Sequence, residues 1–272
     1  MSRPTPIISA LVLIALSLPG FAQEAKPEAP LRFEIQRFQV EGNTFLTPPE
    51  VQKTLAPFVG KDKDFGDVQR SLEALQKAYV DKGYSAVQVL LPEQELEQGI
   101  IQFKVIEARF GKVTVQGNLF FDDANIRASL PQIKEGDPPN ATRIAESLRV
   151  ANENPAKQTT VILKSADEEG IIDATIRVED EKQWKASLTF DNTGNQPTGL
   201  YRFGAGYRNA NFFNRDHVLT LQYITSPEKI QDVNVFGAGY KIPLYSAGDS
   251  VEAFAGHSDV DSGVVQDLFN IS

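Results

Sequence analysis

The 272-residue chain has no cysteine, one methionine, one tryptophan and only two histidines. Without cysteine there is no disulfide and no thiolate metal site, so stability has to come from packed cores or from a membrane. His217 and His257 fall in separate strand-like segments, so neither a His-based metal site nor a Cys–His nucleophile can be assembled locally. Basic residues are also short, 27 Lys and Arg against 36 Asp and Glu, for a net charge of −9. That deficit argues against nucleic acid, which normally requires a basic face, and against electrostatic docking onto anionic lipid. Long apolar runs are nearly absent. Ile7 to Leu18 is the exception, and it is shorter than the roughly 20 residues a spanning helix needs. It follows Arg3 and precedes Pro19-Gly20-Phe21-Ala22, with small residues at −3 and −1. Residues 1–22 are therefore expected to be a signal peptide, cleaved after Ala22. Residues 23–30 form a polar, Pro-rich spacer. No later segment is long and apolar enough for a transmembrane helix, so the mature chain is expected to have none.

A repeated pattern organises what remains. Val40-Glu41-Gly42-Asn43 with Phe45 returns as Val115-Gln116-Gly117-Asn118 with Phe120. Gly99-Ile100-Ile101 and Gly170-Ile171-Ile172 each open a β-rich run that ends in acidic residues, Glu107 and Glu179-Asp180. Self-similarity at fixed spacing implies two copies of one small module. A Gly-Asn pair suits a chain leaving a strand through a turn, since both residues tolerate positive φ.

In the first unit, Phe33 to Val40 alternates as a strand does. Thr47-Pro48-Pro49-Glu50 has the form of a helix start with a capping box. Val68, Leu72, Leu75 and Tyr79 share one face of a second helix, and Gly83 suits its C-terminal cap. Tyr84 to Leu90 and Ile100 to Glu107 complete a β-α-α-β-β order. The second unit repeats it: a strand over Arg109 to Gln116, a helix opened by Asp122-Asp123, another opened by Asn140 or Thr142, then strands over Gln158 to Lys164 and Ile171 to Val178. The acidic stretch Asp167-Glu168-Glu169-Gly170 lacks the alternating ligands of a calcium loop and reads as a hairpin turn.

After Glu181 the pattern changes. Trp184, Ala186, Leu188 and Phe190 alternate with Lys185, Ser187, Thr189 and Asp191; Tyr201, Phe203, Ala205 and Tyr207 alternate with Arg202, Gly204, Gly206 and Arg208. His217 to Thr225, Asp232 to Ile242 and Ser250 to His257 continue in β fashion, with turn segments between. Strands of ~10 residues with one apolar face and one polar face are expected of a transmembrane β-barrel. The alternative is one sheet of a soluble β-sandwich, and Arg202 and Arg208 opposite an aromatic-rich face, together with the export signal, favour the barrel. Gly204-Ala205-Gly206 and Gly237-Ala238-Gly239 do not reach a third glycine or open a helix, so neither is a dinucleotide loop.

These residues resemble a known family. The two β-α-α-β-β units look like paired polypeptide-transport-associated (POTRA) domains. Asp191-Asn192-Thr193-Gly194, Thr198-Gly199, Asn211, Asp216 and Leu219-Thr220-Leu221-Gln222-Tyr223 look like the opening hairpins of a particular barrel. Their order is similar to that in the outer-membrane transporters of two-partner secretion, the haemolysin and filamentous-haemagglutinin secretion/activation family. The resemblance implies an α+β chain: POTRA modules at 31–107 and 108–181, followed by the first strands of an antiparallel barrel at 182–272. It further implies that periplasmic modules capture an unfolded secreted exoprotein by its N-terminal secretion segment, and that this exoprotein then crosses the outer membrane. The implied partners are the exoprotein and outer-membrane lipid, without nucleic acid, small-molecule substrate, cofactor or enzyme activity. Two departures stand out. The family's Arg-Gly-aromatic motif is missing, since the chain has no Arg-Gly pair, and the chain ends Asn270-Ile271-Ser272 without a terminal aromatic strand. Five strands cannot close, and an open edge in lipid would leave amides unsatisfied. The expectation is therefore a fragment of a transporter.

By the same resemblance, each module's second strand is an exposed edge able to pair with an extended polypeptide. The candidate docking residues are Tyr84, Val87, Gln88 and Val89, with Gln158, Thr160 and Ile162 in the second copy. Tyr84, Val87 and Val89 would offer apolar pockets; the competing reading packs them against Leu72, Leu75 and Tyr79. Two rival functions remain, an assembly factor or scaffold of the same superfamily and a periplasmic hydrolase whose carboxylates meet only in the fold. Two modules favour secretion over assembly, and no carboxylate spacing supports the hydrolase.

Overall fold

In the computed structural model, which describes residues 31–95, 98–261, 264–265 and 269–270, the first alternating segment forms two strands rather than one. They are β1 (Phe33–Ile35) and β2 (Arg37–Glu41). The break falls at Gln36, where the N–H groups of Gln36 and Arg37 both donate to the Gly99 carbonyl at 2.7 and 3.3 Å. The expected signal peptide, residues 1–22, and the spacer, residues 23–30, lie outside the described residues.

β1 pairs antiparallel with β3 (Gly60–Lys63), a strand that its Gly-Lys-Asp-Lys sequence does not announce. Between β2 and β3 lies α1 (Pro48–Leu55); α2 (Phe65–Asp81), β4 (Val87–Leu90) and β5 (Ile100–Glu107) follow. The sheet order is β2-β5-β4, with β2 parallel and β4 antiparallel to the central β5. A parallel pair needs a long crossover, and the helices supply it. Ile35, Val68, Leu75, Tyr79, Ile101 and Phe103 form the heart of the first core. β4 starts later than its sequence suggests. Gly83 has φ +91°, and the Tyr84 N–H donates to the Tyr79 carbonyl at 2.9 Å, so Tyr84 closes the helix instead of extending the strand.

The second unit repeats this architecture through β6 (Arg109–Gln116), α3 (Asp123–Ser129), α4 (Ala141–Ala151), β7 (Lys157–Ser165) and β8 (Ile171–Asp180). The carboxylate of Asp122 accepts from the Asn125 N–H at 2.7 Å, and the amide oxygen of Asn140 accepts from the Arg143 N–H at 3.1 Å, each capping a helix N-terminus. The order β6-β8-β7 matches that of the first sheet, and Phe110, Phe121, Ile126, Leu130, Ile144 and Ile176 fill a separate core.

The third part is a meander of β9 (Trp184–Asp191), β10 (Arg202–Phe212), β11 (His217–Thr225), β12 (Val233–Leu244) and β13 (Asp249–Val260). Its register places Leu188, Ala205, Tyr223, Phe236 and His257 in one row across the sheet. The adjacent row, Ser187, Gly206, Gln222, Gly237 and Gly256, lies on the opposite face. One face is thus aromatic and apolar and the other polar and glycine-rich, as the alternation requires. Phe254 is the exception. Its register partner is Gly239, and its ring lies against Gly237, Gly239 and Gly256, closest to Gly256, where an added Cβ would stand 3.2 Å from it. Two short strands, β14 (Val264–Val265) and β15 (Phe269–Asn270), pair with each other. Among the described residues no helix is long and apolar enough to cross a membrane.

Candidate functional site

The repeated Gly-Asn pattern is a loop lock built the same way twice. Gly42 (φ +81°) and Gly117 (φ +90°) lie so close to the carbonyl oxygens of Val105 and Val178 that an added Cβ would stand 2.2 and 2.3 Å from them. In the first copy, the Asn43 side-chain amide donates to the Leu46 carbonyl and its oxygen accepts from the Leu46 N–H, at 2.9 and 3.1 Å. In the second, Asn118 donates to the Phe121 carbonyl at 2.8 Å. The acidic residue that ends each unit completes the lock. Glu107 accepts from the N–H groups of Thr44 and Phe45 at 2.7 and 2.9 Å. Asp180 accepts from Leu119, Phe120 and Phe121, each at 2.9 Å. Carboxylate-to-amide bonds of this kind are stronger than neutral ones. Tyr79, whose hydroxyl donates to Asn43 at 2.5 Å, is pushed to a raised pKa, first by burial and then by the Glu107 charge.

The lock holds each three-stranded sheet with its second strand at an edge, β4 in the first unit and β7 in the second. The candidate residues divide accordingly. Val87 and Val89 point into the first core with Leu75 and Tyr79, so the open apolar pockets expected of them are absent. Packing with Leu72, Leu75 and Tyr79 is the arrangement found, and Tyr84 is half-buried against the same core, its ring stacked on Phe45. Gln88 is exposed. Gln158 and Thr160 are exposed and Ile162 half-exposed, all on the face of β7 away from the second core. Between the units, Gln88, Ala86 and Ile106 face the β7–β8 hairpin across a cleft of about 250 Å³. That hairpin is the acidic turn of 167–170, and Lys104 approaches its Glu169 at 3.9 Å. On the other side Asn140 donates to the Lys82 carbonyl at 2.9 Å, and the Ala141 N–H donates to the Gly83 carbonyl at 2.8 Å.

A second cluster, which joins residues far apart in the chain, fastens the second unit to the meander. The Lys157 ammonium, at the start of β7, bonds the Asp216 carboxylate at 2.5 Å, and the two side chains are 0% and 2% exposed. Burial draws the lysine below its usual pKa, and the neighbouring Asp216 charge opposes that shift. Tyr245 donates to the same carboxylate at 2.5 Å, and its hydroxyl is held well above the ordinary range by burial. Asn125 bridges the Lys157 ammonium, the Asn211 side chain and the Asn214 carbonyl at 3.2, 3.1 and 3.3 Å. Glu153 accepts from Lys241 at 2.7 Å, which holds its carboxyl below the usual range. Among the described residues no group of His, Asp or Glu side chains is arranged to hold a metal ion.

Two small sheets of this topology, each backed by two helices, define a class of POTRA-like β-α-α-β units, and the up-and-down sheet that follows, with one apolar face, resembles the start of a β-barrel. Residues 33–108 match the family model of the POTRA domain, ShlB-type. The chain is 22% identical over 199 residues to the heme/hemopexin transporter protein HuxB of Haemophilus influenzae, covering 72% of this chain and 35% of that protein. It is 21% identical over 181 residues to the outer membrane transporter CdiB of Dickeya dadantii, covering 66% of this chain and 32% of that one. The solved structure of CdiB from Escherichia coli shares the fold with a TM-score of 0.67 at 21% identity, over 85% of this chain and 42% of that one. CdiB from Acinetobacter baumannii does so with a TM-score of 0.59 at 18% identity, over 84% and 45%. The chain carries a ShlB-type POTRA domain at residues 33–108, and the relatives it matches are a heme/hemopexin transporter and outer membrane transporters. It spans about a third of the length of these curated relatives.

Proposed function

We propose that the protein acts in outer-membrane translocation of a secreted partner protein, with residues 31–107 and 108–181 as periplasmic capture modules and residues 182–272 as barrel strands. It works by binding an extended chain rather than by chemistry on a substrate. The observation that carries this reading is the sheet order, which puts β4 and β7 at edges while β5 and β8 sit at the centres. An edge strand offers unpaired N–H and C=O groups, and these confer affinity for an incoming strand with little sequence discrimination. Because Val87 and Val89 are committed to the core, recognition falls to the backbone of β4 and to the outward side chains Gln88, Gln158, Thr160 and Ile162. Tyr84 supports the edge from within.

The test is site-specific photo-crosslinking in cells secreting the partner. A photoreactive residue at Gln88, Gln158 or Thr160 is expected to capture the partner during export. The same residue at Glu73, exposed on the helical side of the first unit, is expected to capture none. Equal capture from Glu73 and Gln88 would remove the edge strands as the docking site.

A further inference from the structure

Resting on that proposed function, we infer that Asp216 is a positioning residue. Through Lys157 and Tyr245 it holds the second module in one orientation on the sheet rim, so that β7 stays beside the polar face the exported chain enters.

One carboxylate ties three pieces of backbone together. It accepts from Lys157 of β7 and from Tyr245 in the β12–β13 turn, while Asp216 itself sits in the β10–β11 turn. Its own N–H donates to Asn211 Oδ1 at 2.9 Å. The turn is also conformationally committed. Phe213, Asn214 and Asp216 all have positive φ, 60°, 57° and 60°, a backbone that non-glycine residues keep only where the surroundings over-determine it. Those surroundings come from the second module, where Asp122 accepts from Asn214 at 2.7 Å and Asn125 reaches Asn211.

The choice of charge over apolar packing carries the inference. A desolvated ammonium and carboxylate reach bonding distance in one relative placement only, and here that placement sets both Lys157 and Tyr245 on Asp216 Oδ2, while the buried Oδ1 has no partner among the described residues. Such pairs add little net stability compared with a well-packed apolar pair, but breaking one leaves a buried charge uncompensated. The placement they fix has a consequence for transport. Lys157 is the first residue of β7, and the loop just before it, with Glu153 and Pro155, overhangs the polar face of the sheet. Together with Arg208, Lys241, Glu252 and Phe254 that loop bounds a cleft of about 390 Å³. A chain paired along β7 therefore has one end at the mouth of this cleft.

The absence of native cysteine makes the test clean. Spin labels are placed on cysteines introduced at the exposed positions Lys164 and Asp259 of the full-length protein in lipid, and their separation is measured by pulsed electron resonance. Export of the partner is assayed in parallel. The parent protein is expected to give one narrow distance distribution. Asp216→Ala is expected to broaden it and to cut export about tenfold or more, and Tyr245→Phe, which removes a single hydroxyl, to do both to a smaller degree. The apolar pair Lys157→Met with Asp216→Leu is expected to restore folding yield while leaving the distribution broad, a result that a merely stabilising pair would not produce. A narrow distribution in folded Asp216→Ala or Tyr245→Phe would overturn the inference. So would undiminished export alongside a broadened one. Export by the parent protein is a separate measurement, and its absence would count against the proposed function instead.

Discussion

Gly42 and Gly117 have a role that no other residue can take over. Both need a left-handed backbone, and both lie against a carbonyl oxygen of the strand that ends their unit. Replacing either by alanine combines the positive-φ penalty with a backbone collision, so each change is expected to destabilise its own unit by more than about 2 kcal/mol. Urea unfolding of a fragment spanning residues 31–181 checks this, and a shift below half that size for Gly42→Ala would show that the loop moves aside at little cost. The repeat of these glycines is plain in the sequence, and so are the acidic residues that end each unit. That the acid returns to cap the Gly-Asn loop is not, because Thr44 and Glu107 stand 63 residues apart and meet only once the sheet has formed. The valines of β4 show the same limit from the other side. Alternation identifies Val87 and Val89 as sharing a face but does not say which face the core covers.

Elements show which local signals survived. The helix caps at Asp122 and Asn140 were legible because the chemistry is local: a short polar side chain, then a helical run. β3 was not, since a strand paired with only one partner and open to solvent needs no apolar alternation. The break at Gln36 was hidden for a related reason, being imposed by the Gly99 carbonyl from a distant segment. Asn140 does two jobs, capping α4 and donating to the Lys82 carbonyl at the end of α2. Asn140→Ala is therefore expected to cost about 1–2 kcal/mol through the lost cap. It should also loosen the contact between the two units. Urea denaturation reads the first effect; faster amide exchange at Ala141, whose N–H donates to Gly83, reads the second. Loss of stability without faster exchange at Ala141 would confine Asn140 to its capping role.

At the scale of the molecule, the two units have separate cores, and among the described residues of the meander Ala210 alone belongs to the second core. Residues 31–181 are therefore expected to fold without the meander and to melt cooperatively, though with modest stability given the small size of each unit. The Lys157 anchor was invisible in the sequence because its partner lies 59 residues away, in a turn with no motif pointing back to β7. Its burial gives a sharp test of the boundary. In the whole chain the ammonium is fully enclosed and its charge is met by Asp216. In the fragment that carboxylate is gone, along with Tyr245 and the turn that covered the site. The Asp180 charge still acts on the ammonium, but without a carboxylate bonded to it the group cannot remain buried at acceptable cost, so the side chain must swing toward water. Lys157 should then be acylated by an amine-reactive reagent at close to the rate of exposed Lys164, while in the intact protein only Lys164 reacts. Mass spectrometry of both forms gives the two rates. A folded fragment in which Lys157 stays protected would mean that the second unit, through Asn125 and the Phe121 ring 5.0 Å away, encloses its lysine unaided. The β10–β11 turn would then be a passenger on that site and not its partner.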